Sequence, residues 1–316
     1  PGSFTVGEAS NASPESALLF CAPERREFNM LIQFEHVNLG QENGKFSPRP
    51  LADGELAEVL TRWQETLGDR GWNALYLENH DQPRAVARFG EPTTSWFESA
   101  TALATAYFLQ RGTPFIYQGQ EIGMLGGDFT DESDFRDVES LNYLRAHPGQ
   151  GVPAGLAAIS RDNGRTPMQW DGSPAAGFTT GRPWIDVPAS ASAINVEAQR
   201  EDPCSVYAYY RALIEARHRV PALTVGSFEC IDAGDPALFV YQRSCEGSAV
   251  LVAVNLSGRA IIPSGALIDE AFPSSRWNLY LGNTGDSHSD TEQETLNPAP
   301  ASSMAPWEAR IYLAAR

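Results

Sequence analysis

Between Phe4 and Tyr117 the apolar positions follow two periods in turn. Asp53–Leu67 spaces Leu56, Val59, Leu60, Trp63 and Leu67 three or four apart, which predicts a helix closed at Gly68. Ser95–Gln110 predicts a second helix, capped by Ser95 and followed by Gly112. A shorter one is expected over Ser13–Leu19, with Ser13 as cap and Pro14 at its first position. Four apolar runs separate these helices: Phe4–Val6, Asn29–Leu39, Trp72–Leu77 and Pro114–Tyr117. Each reads as a strand that runs into polar residues at its C-terminal end, among them Glu8, Glu78–Asp81 and Gln118–Glu121. Strands alternating with helices argue for parallel pairing in βα units. Polar groups at strand C-termini are the habit of the (β/α)8 barrel. The rival, a doubly wound sheet, usually announces a G-x-G-x-x-G phosphate turn, and none is present.

The texture then changes twice. From Gly123 to Asp202 the chain is rich in Gly, Pro, Asp and aromatics with little periodicity. An irregular stretch of about 80 residues inside a domain is uncommon and usually functional. Cys204–Arg219 predicts a strong helix closed by Pro221. After Leu223, the short apolar runs Phe239–Tyr241, Ala249–Leu256, Arg276–Leu281 and Ala309–Leu313 predict a small antiparallel β-sandwich.

Composition narrows the function class. A chain of 316 residues suggests about two domains. Lys and Arg number 23 against 40 Asp and Glu, a net charge of −17, which disfavours nucleic acid and anionic membrane surfaces. No apolar run is long enough to span a bilayer. Cys21, Cys204, Cys230 and Cys245 form no C-x-x-C pair, so reduced thiols and a cytoplasmic location are expected.

Several polar residues are candidates for chemistry. Glu8 follows an apolar strand, where a partly desolvated carboxyl is suited to donate a proton; the alternative is a solvated loop Glu. Asn79-His80-Asp81 is either a functional rim or a capped turn before Pro83. Arg161 and Arg165 carry forks that suit carboxylates and sugar hydroxyls, or else pair with Asp162 or another surface acid. The acids at 128, 131, 132, 134 and 137 lack the spacing of a compact calcium loop and read as solvated. His36 and His80 lack zinc-ligand spacing, so no metal or other cofactor is expected. Neither a G-x-S-x-G elbow nor a Cys-His signature appears. Aromatics on the long loop have faces that suit pyranose rings.

Four segments together carry a resemblance: FTVGEAS at 4–10, LYLENHDQPRAVARFG at 75–90, GTPFIYQGQEIGM at 112–124 and SRDNGRTPMQWD at 160–171. In this order they resemble glycoside hydrolase family 13, in its oligo-1,6-glucosidase and α-glucosidase branch. The resemblance implies a retaining α-glycosidase, with barrel strands five to eight in residues 1–223 and an all-β C-terminal sandwich in 224–316. It also implies residue roles. Glu8 corresponds to the general acid/base, Asp81 to the carboxylate that stabilises the transition state, and His80 to its neighbour at the same sugar. Arg161 and Arg165 correspond to sugar-contacting arginines, and Glu139 to a residue near the adjacent subsite.

The family's attacking aspartate ends the fourth barrel strand, upstream of the Glu8 motif. The matched segments begin at the fifth strand. The expectation is therefore a chain that binds an oligosaccharide substrate but is inactive alone. It should meet the missing N-terminal half or self-associate, because open strand edges invite pairing. Sucrose isomerases of the branch carry an Arg-Leu-Asp-Arg-Asp run after the sixth strand; here the loop reads NLGQENG at 38–44, which favours hydrolysis. A transglycosylating isomerase and a non-catalytic family member are the alternatives. Glu78 and Gln120 are expected at the rim, where relatives often carry Asn and Glu.

Overall fold

A computed structural model describes residues 3–264, 276–284 and 298–314. Four short strands lie parallel: β1 (Val6–Ala9), β2 (Met30–Gln33), β3 (Ala74–Leu75) and β4 (Thr113–Pro114). β1 pairs with β2 and β3 with β4, and a Leu31–Asn73 bridge joins the two pairs. All four C-terminal ends therefore lie at one rim. The fold is the second half of a (β/α)8 barrel followed by an all-β C-terminal sandwich, as the sequence led us to expect.

Helices α1 (Pro14–Cys21), α2 (Glu55–Leu67), α3 (Ala85–Phe89) and α4 (Trp96–Phe108) accompany the strands. The stripe on α2 divides its work. Val59, Trp63 and Leu67 pack with Ala17, Cys21 and Leu31, while Leu56 and Leu60 join the main core. α4 is buried on every side from Ser99 to Phe108. A helix enclosed all round needs small or apolar residues on every face, which accounts for its Ala and Thr content. Thr101 and Thr105 satisfy their hydroxyls on the carbonyls of Phe97 and Thr101, at 2.7 and 2.9 Å.

The long stretch from Gly123 to Asp202 is more regular than its sequence suggests. It forms α5 (Val138–Ala146), α6 (Ala154–Ile159) and α7 (Val196–Gln199), with short 3-10 segments before α5 and between α6 and α7. These helices are too short to show a period. Asp137 and Asn195 start two of them by accepting from the amides of Ser140 and Ala198, at 3.0 and 2.8 Å. α8 (Val206–Arg219) and α9 (Pro221–Val225) then lead into the sandwich.

Five antiparallel strands follow: β5 (Ser227–Ile231), β6 (Leu238–Cys245), β7 (Ser248–Asn255), β8 (Trp277–Gly282) and β9 (Ala309–Ala314), in the order β5-β6-β7-β9-β8. Both faces of this sheet are covered. Phe239, Tyr241, Val250, Val252, Val254 and Ile311 join the core that holds α4 and α8. The alternate residues Leu238, Val240, Leu251, Ala253 and Tyr312 pack with Ile261, Trp277 and Met304. That double burial explains why β7 reads as a continuous apolar run.

At the first strand Phe4 and Leu19 are largely exposed, and Phe20 and Phe28 are partly so. Among the described residues no strand pairs with the outer edge of β1. No helix among them is long and apolar enough to cross a membrane.

His36, just beyond β2, is fully buried, with its ring edge-on to Tyr76 and Nδ1 2.8 Å from Gln33 Nε2. Burial pushes its pKa down to about 3. The unfolded chain takes up a proton near pH 6.5 that the folded chain refuses, so stability falls as pH drops below that value. From pH 7 to pH 5 this costs about 2 kcal/mol. Urea unfolding of His36→Gln should show a shallower acid-side decline than the parent chain; parallel declines would remove His36 as the cause.

Candidate active site

The β3 segment supplies the centre of the site. The strand ends at Leu75, and the chain turns at Asn79, whose side chain accepts from the Asp81 amide at 2.8 Å. The backbone closes the same turn through Gln82 N–H to Asn79 O at 3.2 Å. This turn leaves His80 exposed and Asp81 about one-third exposed, with His80 Nε2 3.7 Å from Asp81 Oδ2. The capped-turn reading of Asn79-His80-Asp81 is the one the geometry shows, and that turn is what exposes part of Asp81.

Two arginines from residues 161–165 converge on that carboxylate. Arg165 donates through Nη2 to Asp81 Oδ1, and through Nε to His80 O at 3.0 Å. Arg161 Nη1 lies 3.8 Å from Asp81 Oδ1. Asp162 is not the chief partner of either arginine, lying 3.9 Å from Arg165. It is buried and accepts instead from the amides of Arg136 and Asp137, at 2.7 and 2.8 Å.

Asp137 corrects the picture of a solvated acidic loop. It is buried and accepts from Arg161 Nε at 2.9 Å and from the Ser140 hydroxyl at 2.9 Å. Burial raises its pKa, but the Ser140 and Arg161 hydrogen bonds outweigh this and hold the carboxyl below its usual range. Asp137 thus keeps Arg161 oriented beside Asp81. Asp131 and Asp134 are also engaged, closing a reciprocal cap on one 3-10 turn.

Glu139 lies in the first turn of α5, two residues after Asp137 and close enough for its charge to act on Arg161. It is exposed and ion-paired with Lys45 at 2.5 Å. The sequence places it near a neighbouring subsite; in the structure it ties the loop after β2 to α5.

Glu8 lies on β1, at the same rim but two strands from Asp81. The expected desolvation is not found. Glu8 is exposed and has no hydrogen-bond or ion-pair partner among the described residues. Desolvation needs a covering wall, and the edge of β1 is uncovered. Its charge does reach Tyr76, whose hydroxyl pKa is raised by burial and then further by Glu8.

Glu78 and Gln120 are not at the rim. Glu78 is buried, 2.9 Å from the fully buried Arg84, and Gln120 is buried with Nε2 3.1 Å from Tyr107 Oη. Both are enclosed by packing, whereas His80 is exposed. Sequence reading also missed Tyr117, whose hydroxyl donates to Gly164 O at 2.8 Å. Among the described residues no cluster of three or more His, Cys, Asp or Glu side chains could hold a metal ion.

Known proteins are similar to this chain in sequence and fold. Residues 1–226 match the alpha amylase catalytic domain. An oligo-1,6-glucosidase of Halalkalibacterium halodurans is 41% identical over 319 aligned residues, covering 98% of this chain and 54% of that protein. A trehalose-6-phosphate hydrolase of Bacillus subtilis is 38% identical, covering 94% and 54%. Among solved structures, the trehalose-6-phosphate hydrolase of Bacillus licheniformis superposes with a TM-score of 0.86 at 34% identity, over 99% of this chain and 56% of that one. A sucrose-bound isomaltulose synthase mutant of Erwinia rhapontici gives 0.85 at 30% identity, over 99% and 56%. The chain spans about half the length of the relatives it matches. By its match over most of its length, it belongs to the alpha-amylase family.

Proposed function

We propose that this chain supplies the proton donor and the sugar-holding residues of a retaining α-glucosidase. The substrates are short oligosaccharides with a terminal α-glucosidic bond. The observation that carries this reading is the clamp of Arg161 and Arg165 on Asp81, at the rim that also bears Glu8. Retention of configuration uses two carboxyl groups about 5–5.5 Å apart, one attacking and one protonating the leaving oxygen. Glu8 is the protonating group, and it later takes the proton from the incoming water. Asp81, held by two guanidinium groups, accepts hydroxyls of the bound glucose and steadies the positive charge that develops at its anomeric carbon. The attacking carboxylate comes from a segment whose strand pairs with the free edge of β1. Phe4, Leu19, Phe20 and Phe28 are the apolar surface for that segment. The names of the relatives support the substrate class.

Mixing the chain with a polypeptide carrying the first four barrel strands tests the reading. Hydrolysis of an aryl α-glucoside should appear in the mixture and in neither component alone. Turnover by this chain by itself would contradict the proposal. Release of isomaltulose from sucrose by the mixture would favour the sucrose-isomerising alternative.

A further inference from the structure

Beneath the His80–Asp81 turn lies a buried cation that the reaction does not use. The Arg84 side chain is fully enclosed, 2.9 Å from Glu78 Oε1, and it donates to Gln118 O at 2.6 Å. Glu78 also accepts from the Ala85 amide, so this carboxylate, at the start of the segment that contains the turn, holds the segment's far end. The Arg84 guanidinium lies 5.1 Å from the Tyr117 ring centroid. Tyr117 in turn holds Gly164 O.

Gly164 rests directly on the turn. A Cβ there would come within 2.7 Å of both Asn79 O and Gln82 O. Gly119, at φ +87°, leaves room for the cation in a similar way, since a Cβ would meet Met124 Sδ at 2.2 Å and Arg84 Nη1 at 3.3 Å. The contacts form a closed circuit: from Arg84 to Glu78 and the turn, from Arg84 through Tyr117 to Gly164, and back through Arg165 to Asp81.

We propose that Arg84 is the positioning residue of the sugar-contacting cluster, fixing the turn at 79–82 through Glu78 and the segment at 161–165 through Tyr117. Its planar fork meets a carboxylate and a carbonyl while its face covers a ring, which a lysine ammonium does not reproduce. The description of Asp81, Arg161 and Arg165 as sugar contacts rests on the function proposed above. The circuit itself can be tested without it.

The test is hydrogen exchange of the Arg165 Nε–H, followed by 15N-edited NMR in the chain alone. Tyr117→Phe removes one hydroxyl and touches no residue of the turn. It should speed exchange at Arg165 Nε–H by about tenfold, while sandwich amides such as Val252 keep their rates. Arg84→Lys should speed it at Arg165 Nε–H and at the Asp81 amide together. Exchange at Arg165 within twofold of the parent in Tyr117→Phe, or faster only in step with Val252, would overturn the proposal. Should Arg84→Lys not fold, Tyr117→Phe alone decides. Absence of glucosidase activity in the parent mixture would instead count against the function, leaving the exchange result standing.

Discussion

Glu8→Gln is expected to lower hydrolysis of a glucose disaccharide by the completed barrel about 10²–10⁴-fold, the range a positioned general acid contributes. The loss depends on the leaving group. A sugar alkoxide is a poor leaving group and needs its proton as the bond breaks. An activated aryloxide needs little help, so glycosidic cleavage of a nitrophenyl α-glucoside should suffer much less. Side chains that merely bind sugar would not separate the two substrates in this way. The values of kcat/KM for the disaccharide and the aryl glucoside, which report the bond-breaking step and not the later hydrolysis in which Glu8 acts as base, check it when measured on one preparation. Equal losses of kcat/KM on both would show that Glu8 is not the proton donor. The substitution should leave the fold intact, because Glu8 is exposed and has no partner among the described residues.

Glu78→Gln has the opposite character: a large effect on stability from a residue away from the sugar. Arg84 and Glu78 expose none and 2% of their side chains, respectively. Burial pushes the Glu78 carboxyl up, and the nearby Arg84 charge only partly offsets this. Gln preserves shape but removes the countercharge, leaving a guanidinium in a medium that solvates it poorly. Breaking such a pair costs about 3–5 kcal/mol. Urea unfolding of the chain alone should show this loss with an unchanged denaturant slope. A change below about 1 kcal/mol would mean that the bond Arg84 already makes to Gln118 O is enough to hold it.

The sequence was most legible where a helix buries one stripe or all of its faces. The α2 positions and the small residues of α4 announce themselves by period and by size. The rim was legible because each strand stops abruptly at polar residues. What escaped has local causes. β5 is a five-residue edge strand, Ser-Phe-Glu-Cys-Ile, and so short a mixture of polar and apolar residues resembles a loop. The predicted strand over Asn29–Leu39 shrinks to Met30–Gln33 because the remainder bends to bury His36. The partnership of Glu78 with Arg84 spans six positions, which fits neither a helical nor a strand spacing. Asp137 was grouped with solvated acids because no local pattern reveals an arginine 24 residues away. Glu8 was expected in a desolvated setting because it follows an apolar strand, but the uncovered edge of β1 leaves it in solvent. Its place on β1 was correct; its covering was not.

The central claim is that the proton donor and the attacking carboxylate reside on different segments, with only the first in this chain. Trapping the covalent glucosyl intermediate tests it most directly. The mixture would be treated with a slowly released 5-fluoroglucosyl fluoride, and the masses of the two separated polypeptides measured. The account predicts one added fluoroglucosyl group on the polypeptide carrying the first four strands and none on this chain. A fluoroglucosyl adduct on this chain, at Asp81 or any other carboxylate, would contradict it.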